Sequence, residues 1–157
     1  MSRLPHISSA WELRPAAAAD VEAIAELRAV VMRPDLERLG RYDDFRVRER
    51  FRRSFSPEHT RTLVSGGDFA GCVTLRPTDD GWLLEHFYLA PEVQGRGLGG
   101  DVLRSLLEDA DAEGAPVRLN VLQGSAARRL YERHGFELET QDAVDVFMVR
   151  RPQGSAG

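Results

Sequence analysis

The chain contains no lysine: all 21 of its basic residues are arginine. This absence excludes a P-loop, because that phosphate-binding motif requires a lysine directly after its last glycine. It also excludes enzymes that form a Schiff base through a lysine amine. If the protein binds phosphates, it must therefore do so by other means.

The chain also has little cysteine and no long apolar run. Cys72 is the only cysteine, so neither an internal disulfide nor a cysteine-rich zinc site can form. No apolar run is long enough to span a membrane, and the opening MSRLPHISSAWELRP lacks the apolar centre of a signal peptide. We therefore expect a cytoplasmic protein with no metal site and no membrane partner.

The length of 157 residues suits one domain, which we place at residues 11–150, with flexible ends at 1–10 and 151–157. The net charge is −4. An acidic balance argues against a dedicated nucleic-acid binder and slightly favours cationic small molecules.

Apolar residues recur with two different periods, which predicts a mixed α/β fold. After Asp20 the spacing is helical until Pro34 interrupts it, and Asp80-Gly81 marks a hairpin between two strands. The almost continuously apolar segment 117–122 should lie inside the sheet, parallel to the strand at 82–90. The predicted strands cover residues 11–15, 60–64, 69–77, 82–91, 117–122, 136–140 and 144–151, and the later helices cover 43–55, 98–110 and 125–135.

Four glycines stand among the eight residues of VQGRGLGG (93–100), directly before an apolar helical pattern. One or two glycines would suffice for a tight turn between a strand and a helix. Four of them expose a row of backbone N–H groups at a helix N-terminus, which suits an anionic phosphate. We therefore favour a phosphate site over a purely structural turn.

Gly95, Gly97 and Gly100 also satisfy the dinucleotide-binding pattern G-x-G-x-x-G. In that fold the pattern follows the first strand, and a second half of the domain comes after it. Here at least three predicted strands precede the glycines and too little chain follows them. The position of the pattern rules out the dinucleotide interpretation.

Two ordered motifs carry a resemblance to a known family. FYLAPEVQGRGLGG (87–100) resembles the acyl-CoA-binding motif of the GNAT superfamily of N-acyltransferases, with Gln94, Gly97 and Gly99 at its fixed positions. ARRLYERHGF (127–136) resembles the second signature of that family, a short helix with a tyrosine followed by Gly-Phe. The opening WELRPAAAADVEAIAELR is similar to the family's first strand and helix, so the resemblance covers residues 11 to 150.

The resemblance implies a mostly antiparallel sheet of about seven strands, with helices on both faces and with the fourth and fifth strands parallel and splayed. Acyl-CoA would lie between these strands, Trp82–Leu89 and Val117–Leu122, with its pantetheine arm along the backbone of Phe87 and Leu89. Its pyrophosphate would sit on the N–H groups of residues 94 to 100. The implied cofactor-binding residues are Phe87, Leu89, Gln94, Gly95, Arg96, Gly97, Leu98, Gly99, Gly100, Ser125 and Arg128.

One position departs from the family pattern. Many relatives carry an asparagine just before the tyrosine-bearing helix, where this chain has Gly124 and Ser125. Ser125 is a good helix N-cap in its own right. Its contact with the cofactor and its capping of the helix therefore remain alternatives.

The family's reaction is a direct attack of an amine on a thioester, which needs a group to protonate the departing thiolate. The resemblance implies that Tyr131 is this acid, and a reference pKa of about 10 keeps a tyrosine protonated at neutral pH. The alternative is a core tyrosine that packs the helix on the sheet. Both descriptions can hold together.

Glu85 is the candidate base, because a charged residue within WLLEHFYL is rarely buried without a task or a partner. Its alternative is a salt bridge with an arginine of the first two helices. Strand alternation places Glu85 on the same face as Phe87 and places His86 on the other face. Either Glu85 or His86 could act through water.

The segment from Met32 to Phe55 corresponds to the family's variable region and should build the acceptor pocket. Arg38 and Tyr42 are candidate acceptor contacts, although surface arginines are common. Asn120 interrupts an apolar strand, so it either reaches the acceptor or bonds to the backbone.

Arg46, Arg50 and Arg53 share one face of the helix at 43–55. We interpret this face as solvated, with Glu49 pairing to Arg53 four residues on.

The same arginines also leave open the hypothesis that the protein is an enzyme that acylates aminoacyl-tRNA. The acidic balance of the chain argues against this hypothesis. Salt-dependent tRNA binding would be its signature.

The sequence as a whole predicts an acetyl-CoA-dependent N-acetyltransferase that releases coenzyme A. Its partner would be a small-molecule amine or a peptide amine, and a homodimer is compatible with the sequence. The alternative is a non-catalytic acyl-CoA-binding sensor on the same fold. Tyr131 and Glu85 together favour the enzyme.

Overall fold

The computed structural model describes residues 11–152; of the predicted flexible ends, 1–10 and 151–157, residues 1–10 and 153–157 lie outside that range. Seven strands form one mixed sheet in the order β1-β2-β3-β4-β5-β7-β6, in which only the β4–β5 pair is parallel. This confirms the predicted fold class. The strands are β1 (Trp11–Pro15), β2 (Thr60–Ser65), β3 (Asp68–Pro77), β4 (Trp82–Leu89), β5 (Val117–Leu122), β6 (Glu137–Gln141) and β7 (Asp145–Arg150).

The helices are α1 (Val21–Arg38), α2 (Asp44–Ser54), α3 (Leu98–Ala112) and α4 (Ala127–Arg133). Between residues 11 and 152, no helix is both long enough and apolar enough to cross a membrane. α2 begins where the Asp43 carboxylate accepts hydrogen bonds from the backbone N–H groups of Phe45 and Arg46, at 3.0 and 2.8 Å.

α1 continues through Pro34, where the sequence pattern is interrupted, and ends only at Arg38. Proline cannot donate the hydrogen bond that would reach the carbonyl of Val30 one turn earlier. Val30 is 55% exposed, so water is available to that carbonyl. The missing hydrogen bond is therefore not sufficient to end the helix.

The two faces of the sheet are covered by different helices. Arg28 of α1 bonds to Tyr88 of β4 on one face. On the opposite face, Leu106 of α3 lines a cavity of about 400 Å³ together with Val73 and Leu75 of β3. The helices therefore enclose the central strands from both sides, as the resemblance implies.

β4 contains one more residue than β3 in the middle of their pairing. Cys72 pairs with Tyr88 and Thr74 pairs with Glu85, so Val73 stands opposite both His86 and Phe87. His86 has a φ of 50°, and it is the one residue other than glycine between residues 11 and 152 with a positive φ. Such a β-bulge bends the strand and changes the alternation of side chains.

β4 and β5 pair only at their beginnings, through Trp82 with Val117 and Leu83 with Arg118. β5 then pairs with β7 along its whole length, from Val117 to Leu122. The two parallel strands therefore separate at their carboxyl ends, as the resemblance implies. This gap positions the candidate site.

Phe51 anchors α2 on the sheet beside the bulge. It is fully buried, and its ring lies 5.4 Å from the Phe55 ring and 4.9 Å, edge-on, from the His86 ring, measured between centroids. We expect Phe51→Ala to lower the free energy of unfolding by about 3–5 kcal/mol, because it leaves a cavity in the core.

Phe45→Ala is the matched control, because Phe45 lies on the same helix and is 64% exposed. Its effect should stay within about 0.5 kcal/mol, as for most surface substitutions. Urea denaturation followed by circular dichroism measures both variants. Equal losses in the two would contradict the packing role of Phe51.

Candidate active site

A cavity of about 960 Å³ opens where β4 and β5 separate. Its walls come from these two strands, from α1 and α2, and from the loop before β7. The residues predicted for the site that line it are Glu85, Phe87, Asn120, Ser125 and Tyr131. The cavity thus brings together the two predicted catalytic residues and part of the predicted binding set.

Tyr131 of α4 is 8% exposed, and its ring packs against Phe136 with 5.7 Å between centroids. Burial, and to a lesser degree the neighbouring Tyr88, raises the pKa of the Tyr131 hydroxyl above its ordinary value. Within residues 11–152 this hydroxyl makes no hydrogen bond, and it is not fully buried. It is therefore a protonated donor with a free hydrogen at the cavity wall.

Ser125 precedes α4, and its hydroxyl accepts a hydrogen bond from the backbone N–H of Ala127 at 3.2 Å. This contact fits the capping alternative for Ser125 at the beginning of the helix. The same residue also lines the cavity. Arg128, the second residue of α4, pairs instead with Glu132, with Nε 3.1 Å from the carboxylate.

Glu85 pairs with Arg76 of β3, with 2.5 Å between Arg76 Nε and Glu85 Oε2. The sequence offered an arginine of the first two helices as the alternative partner. Because Thr74 stands opposite Glu85 in the register, Arg76 lies on the diagonal and its long side chain can reach the carboxylate. The Glu85 side chain remains 21% exposed and lines the cavity.

His86 lines the cavity as Glu85 does, although strand alternation places the two side chains on opposite faces. The bulge is the physical reason, because strict alternation does not continue through an extra residue. Its Nε2 lies 2.8 Å from the Ser54 hydroxyl, and its Nδ1 lies 3.0 Å from the Tyr88 hydroxyl.

The hydrogen bonds around His86 are consistent with a neutral ring. Arg28 Nε donates to the Tyr88 hydroxyl at 2.8 Å, so that hydroxyl can donate to His86 Nδ1. His86 Nε2–H then donates to Ser54, which donates to the backbone carbonyl of Arg50 at 2.9 Å. This assignment gives every donor an acceptor.

Burial lowers the pKa of His86 to about 4, against the opposing effect of Glu85. The positive charges of Arg28, Arg76 and Arg50 lower it further. Burial also raises the pKa of Tyr88 to about 12. At neutral pH the network therefore carries an uncharged imidazole and an uncharged phenol.

This network was not found from the sequence. Its members are Arg28, Ser54, His86 and Tyr88, which lie on three different elements. The one sign of this network in the sequence is Arg28, which stands at a position of the first helical pattern where an apolar residue is expected. The bulge brings these side chains together, and no residue type in the sequence predicts it.

Asn120 of β5 lines the cavity, where its side-chain amide donates to Asp145 at 2.9 Å. Its predicted alternatives were the acceptor or the backbone, and its partner within the protein is a carboxylate. The other predicted acceptor contacts, Arg38 and Tyr42, are not among the cavity-lining residues.

Arg38 joins the end of α1 to the loop after β5. Its Nη2 donates to the Asp35 carboxylate at 2.7 Å and to the Gln123 carbonyl at 2.8 Å. Tyr42 donates to Asp44 at 2.6 Å and lies beneath Arg33, whose guanidinium carbon is 4.5 Å from the ring centroid. Both predicted contacts thus have partners within the protein, and neither residue lines the cavity.

The glycine stretch forms the loop into α3 and presents backbone N–H groups. The Gln94 N–H, which the resemblance also assigned to the pyrophosphate, donates instead to the Pro91 carbonyl at 3.2 Å. Among residues 11–152, no backbone hydrogen bond is donated by the N–H groups of residues 95 to 100. Gly97 is the N-cap of α3 with a φ of 79°, and Gly95 has a φ of 80°. No atom lies within 4 Å of a Cβ built on either residue, so a ligand could approach this backbone closely.

The other residues of the motif hold the loop in place. The Gln94 amide donates to the Leu89 carbonyl at 2.8 Å, and Arg96 donates to the Glu92 carbonyl at 2.9 Å. A Cβ on Gly99 would lie 3.3 Å from the Leu89 side chain, and a Cβ on Gly100 would lie 3.6 Å from the His134 ring. Leu98, the first residue of α3, is buried.

Phe87 and Leu89 lie in the part of β4 that has left β5. The recorded β4–β5 pairs end at Leu83, so from there on β4 has hydrogen-bonded register partners only in β3. Backbone groups on the side towards the gap are consequently available to an extended ligand, apart from the Leu89 carbonyl, which accepts from the Gln94 amide.

Comparison with known proteins agrees with this geometry. The family model described as the acetyltransferase (GNAT) family matches residues 21–136, more than half of the chain. A sequence comparison with curated proteins finds no match.

Several solved structures share the fold. PaiA N-acetyltransferase from Thermoplasma acidophilum, in complex with coenzyme A, is 20% identical, with a TM-score of 0.73 over 90% of this chain and 98% of its own. The ribosomal-protein-S18-alanine N-acetyltransferase from Escherichia coli is 18% identical, with a TM-score of 0.69 over 93% and 97% of the two chains. N-acetylglutamate synthase from Neisseria gonorrhoeae, complexed with coenzyme A and L-arginine, is 19% identical, with a TM-score of 0.63 over 92% and 34%.

These structures carry the same fold, and the family model extends over the glycine loop, the splayed strands and the tyrosine-bearing helix. The chain belongs to the GNAT family of acetyltransferases.

Proposed function

We propose that this protein is an acetyl-CoA-dependent N-acetyltransferase whose acceptor amine attacks the thioester directly. The observation that carries the proposal is the gap between β4 and β5, which opens beside the unbonded N–H groups at the beginning of α3. A strand edge on one side and an anion site on the other suit a ligand with an extended arm and a pyrophosphate.

The residues present fit acetyl-CoA, which would supply the reactive acetyl thioester. Residues 95 to 100 offer their N–H groups and the positive end of the α3 dipole to the phosphates. The backbone of Phe87 and Leu89 would bind the arm. Gln94 holds the loop, and Arg96 adds a positive charge beside it.

Tyr131 would donate the proton that the departing thiolate needs. Its burial keeps the hydroxyl protonated, and that hydroxyl has no competing partner within residues 11–152. A positioned donor of this kind acts as a general acid. Its packing against Phe136 fixes the ring, so the acid role and the packing role are compatible.

Glu85 would attract the ammonium form of the acceptor and take a proton from it through water. The charge of this carboxylate is shared with Arg76, which weakens its attraction for a cation. His86 is neutral but uses both ring nitrogens in hydrogen bonds, so it would need to exchange a partner in order to accept a proton. We therefore assign the base to Glu85 and a positioning role to His86.

The acceptor would be a small-molecule or peptide amine that enters through the cavity beside α2. The competing function is a sensor that binds acyl-CoA without turnover. Thiol release from acetyl-CoA, measured with and without a panel of amines, tests the choice. Amine-dependent release supports the enzyme, whereas tight binding of acetyl-CoA without release from any amine supports the sensor.

Gly97→Asp should weaken acetyl-CoA binding by roughly tenfold or more, because it places a negative charge where the pyrophosphate must lie. Gly97→Asn is the matched control, since asparagine has nearly the same size and also tolerates a positive φ. Calorimetric titration compares the two variants. If both lose affinity equally, the charge is not the cause and the phosphate assignment is wrong.

Tyr131→Phe keeps the aromatic packing and removes the donor. We expect kcat to fall by roughly 10²-fold, the low end for general acid catalysis, with little change in acetyl-CoA affinity. Steady-state kinetics and calorimetry measure the two quantities separately. Unchanged kcat would leave Tyr131 as a packing residue.

Glu85→Gln preserves the shape of the side chain and removes both its charge and its basicity. If Glu85 is the base, kcat/KM should fall and the acidic limb of its pH profile should flatten or move. If Glu85 only attracts the cation, KM should rise while kcat is preserved. Wild-type kinetics at every pH would exclude both roles and leave Glu85 as the ion-pair partner of Arg76.

A further inference from the structure

The arginines of α2 fall into two groups. One group is paired with glutamates of α1 and α2 and lies away from the cavity. Arg48 pairs with Glu26, Arg52 with Glu22 and Glu49, and Arg53 with Glu49, the last at 3.6 Å as the sequence predicts.

The other group consists of Arg46 and Arg50, which line the cavity. Together with Ser54 they stand four residues apart, so they form one stripe along the helix. Within residues 11–152, neither guanidinium forms a salt bridge or a side-chain hydrogen bond. The interpretation of this face as solvated is thus incomplete, because it also forms a wall of the site.

Arg28 adds a buried positive charge to the same wall. It is 7% exposed, and its hydrogen-bond acceptors are the Tyr88 hydroxyl and the Val47 backbone carbonyl, both uncharged. None of the salt bridges between residues 11 and 152 involves it. A buried charge without a counter-ion is costly, so an anion bound nearby would stabilise this arrangement.

Each carboxylate that lines the cavity has a partner within the protein, but only two of these partners are charged. Four arginines and four carboxylates line it, so pairing decides which charge is free. The carboxylate contacts are Glu85 with Arg76, Asp35 with Arg38, Asp145 with Asn120, and Asp142 with the backbone N–H groups of Val144 and Asp145. Glu85 and Asp35 are compensated by Arg76 and Arg38, which do not line the cavity, whereas Asp145 and Asp142 bond to uncharged groups and keep their charge. Four lining arginines against these two carboxylates leave the cavity wall positive, although the whole chain carries −4.

This positive wall is separate from the proposed pyrophosphate site. None of residues 94 to 100 lines the cavity that Arg28, Arg46 and Arg50 share. The phosphates of a bound cofactor have their own N–H groups at the beginning of α3. The arginines are consequently available to the second substrate.

We propose that the acceptor is a small amine that also carries an oxyanion, either a carboxylate or a phosphate, and that Arg46 and Arg50 bind this group. The inference rests on the proposed acetyl transfer and specifies the substrate class. Guanidinium groups bind both oxyanions through charge-assisted and often bidentate hydrogen bonds. The inference that the acceptor carries an oxyanion replaces the slight preference for cationic small molecules that the net charge of the chain suggests.

The test uses matched amines with the full chain and saturating acetyl-CoA. Butylamine is compared with 4-aminobutanoate, and ethanolamine with phosphoethanolamine. We expect kcat/KM to be roughly tenfold or more higher for the anionic member of at least one pair, since hydrogen bonds to charged groups are strong. The pair with the larger preference distinguishes carboxylate from phosphate.

The preference should fall to about unity in Arg46→Gln/Arg50→Gln, which removes both charges while keeping donors of hydrogen bonds. Arg53→Gln is the matched control, because Arg53 lies on the same helix, is 78% exposed and does not line the cavity. It should keep the wild-type preference. Equal rates for neutral and anionic amines, or a preference that survives the double substitution, would overturn the inference.

Binding separates this inference from the proposed function. 4-Aminobutanoate and phosphoethanolamine are titrated calorimetrically into the wild type and the double variant, with coenzyme A present and absent. Binding that depends on Arg46 and Arg50 supports the inference even if no amine is acetylated, whereas no such binding overturns it. Failure to bind acetyl-CoA would instead count against the proposed function alone.

Discussion

The separation of β4 from β5 is the constraint on which the rest of the site depends. Two parallel strands that part after Leu83 and Arg118 leave backbone groups without partners inside a sheet. Such groups are costly unless water or a ligand satisfies them. The bulge at His86 and the full pairing of β5 with β7 fix the gap, because one bends β4 and the other holds β5 away.

Each wall of the gap contributes a different chemistry. The beginning of α3 provides N–H groups for phosphates, and α4 provides a buried phenol that retains its proton. On the side of α1 and α2, an uncharged His86 is held between Ser54 and Tyr88, and arginines without carboxylate partners line the remaining surface. In the proposed function, the acyl donor and the acceptor would therefore bind to different walls of the gap.

Pairing matters more than the number of charges in such a site. The cavity has equal numbers of lining arginines and carboxylates, and the net charge of the chain is negative. Nevertheless, Glu85 and Asp35 pair with Arg76 and Arg38, which do not line the cavity, whereas Arg46 and Arg50 form no salt bridge within residues 11–152. Local potential follows these partners, because an ion pair at short range cancels much of the field of each member.

The sequence by itself determined the family, the mixed fold, the order of the elements along the chain and the glycine loop, because period-2 and period-3.6 patterns and a fixed motif are local properties. It also placed Tyr131 and Glu85 in reach of one cavity. The tertiary structure alone decided that His86 lines the site, that Arg76 is the partner of Glu85, and that Arg38 and Tyr42 do not line the cavity. A bulge shifts side chains by one residue, and ion pairs form between elements distant in the chain, so neither is written in the spacing of residues.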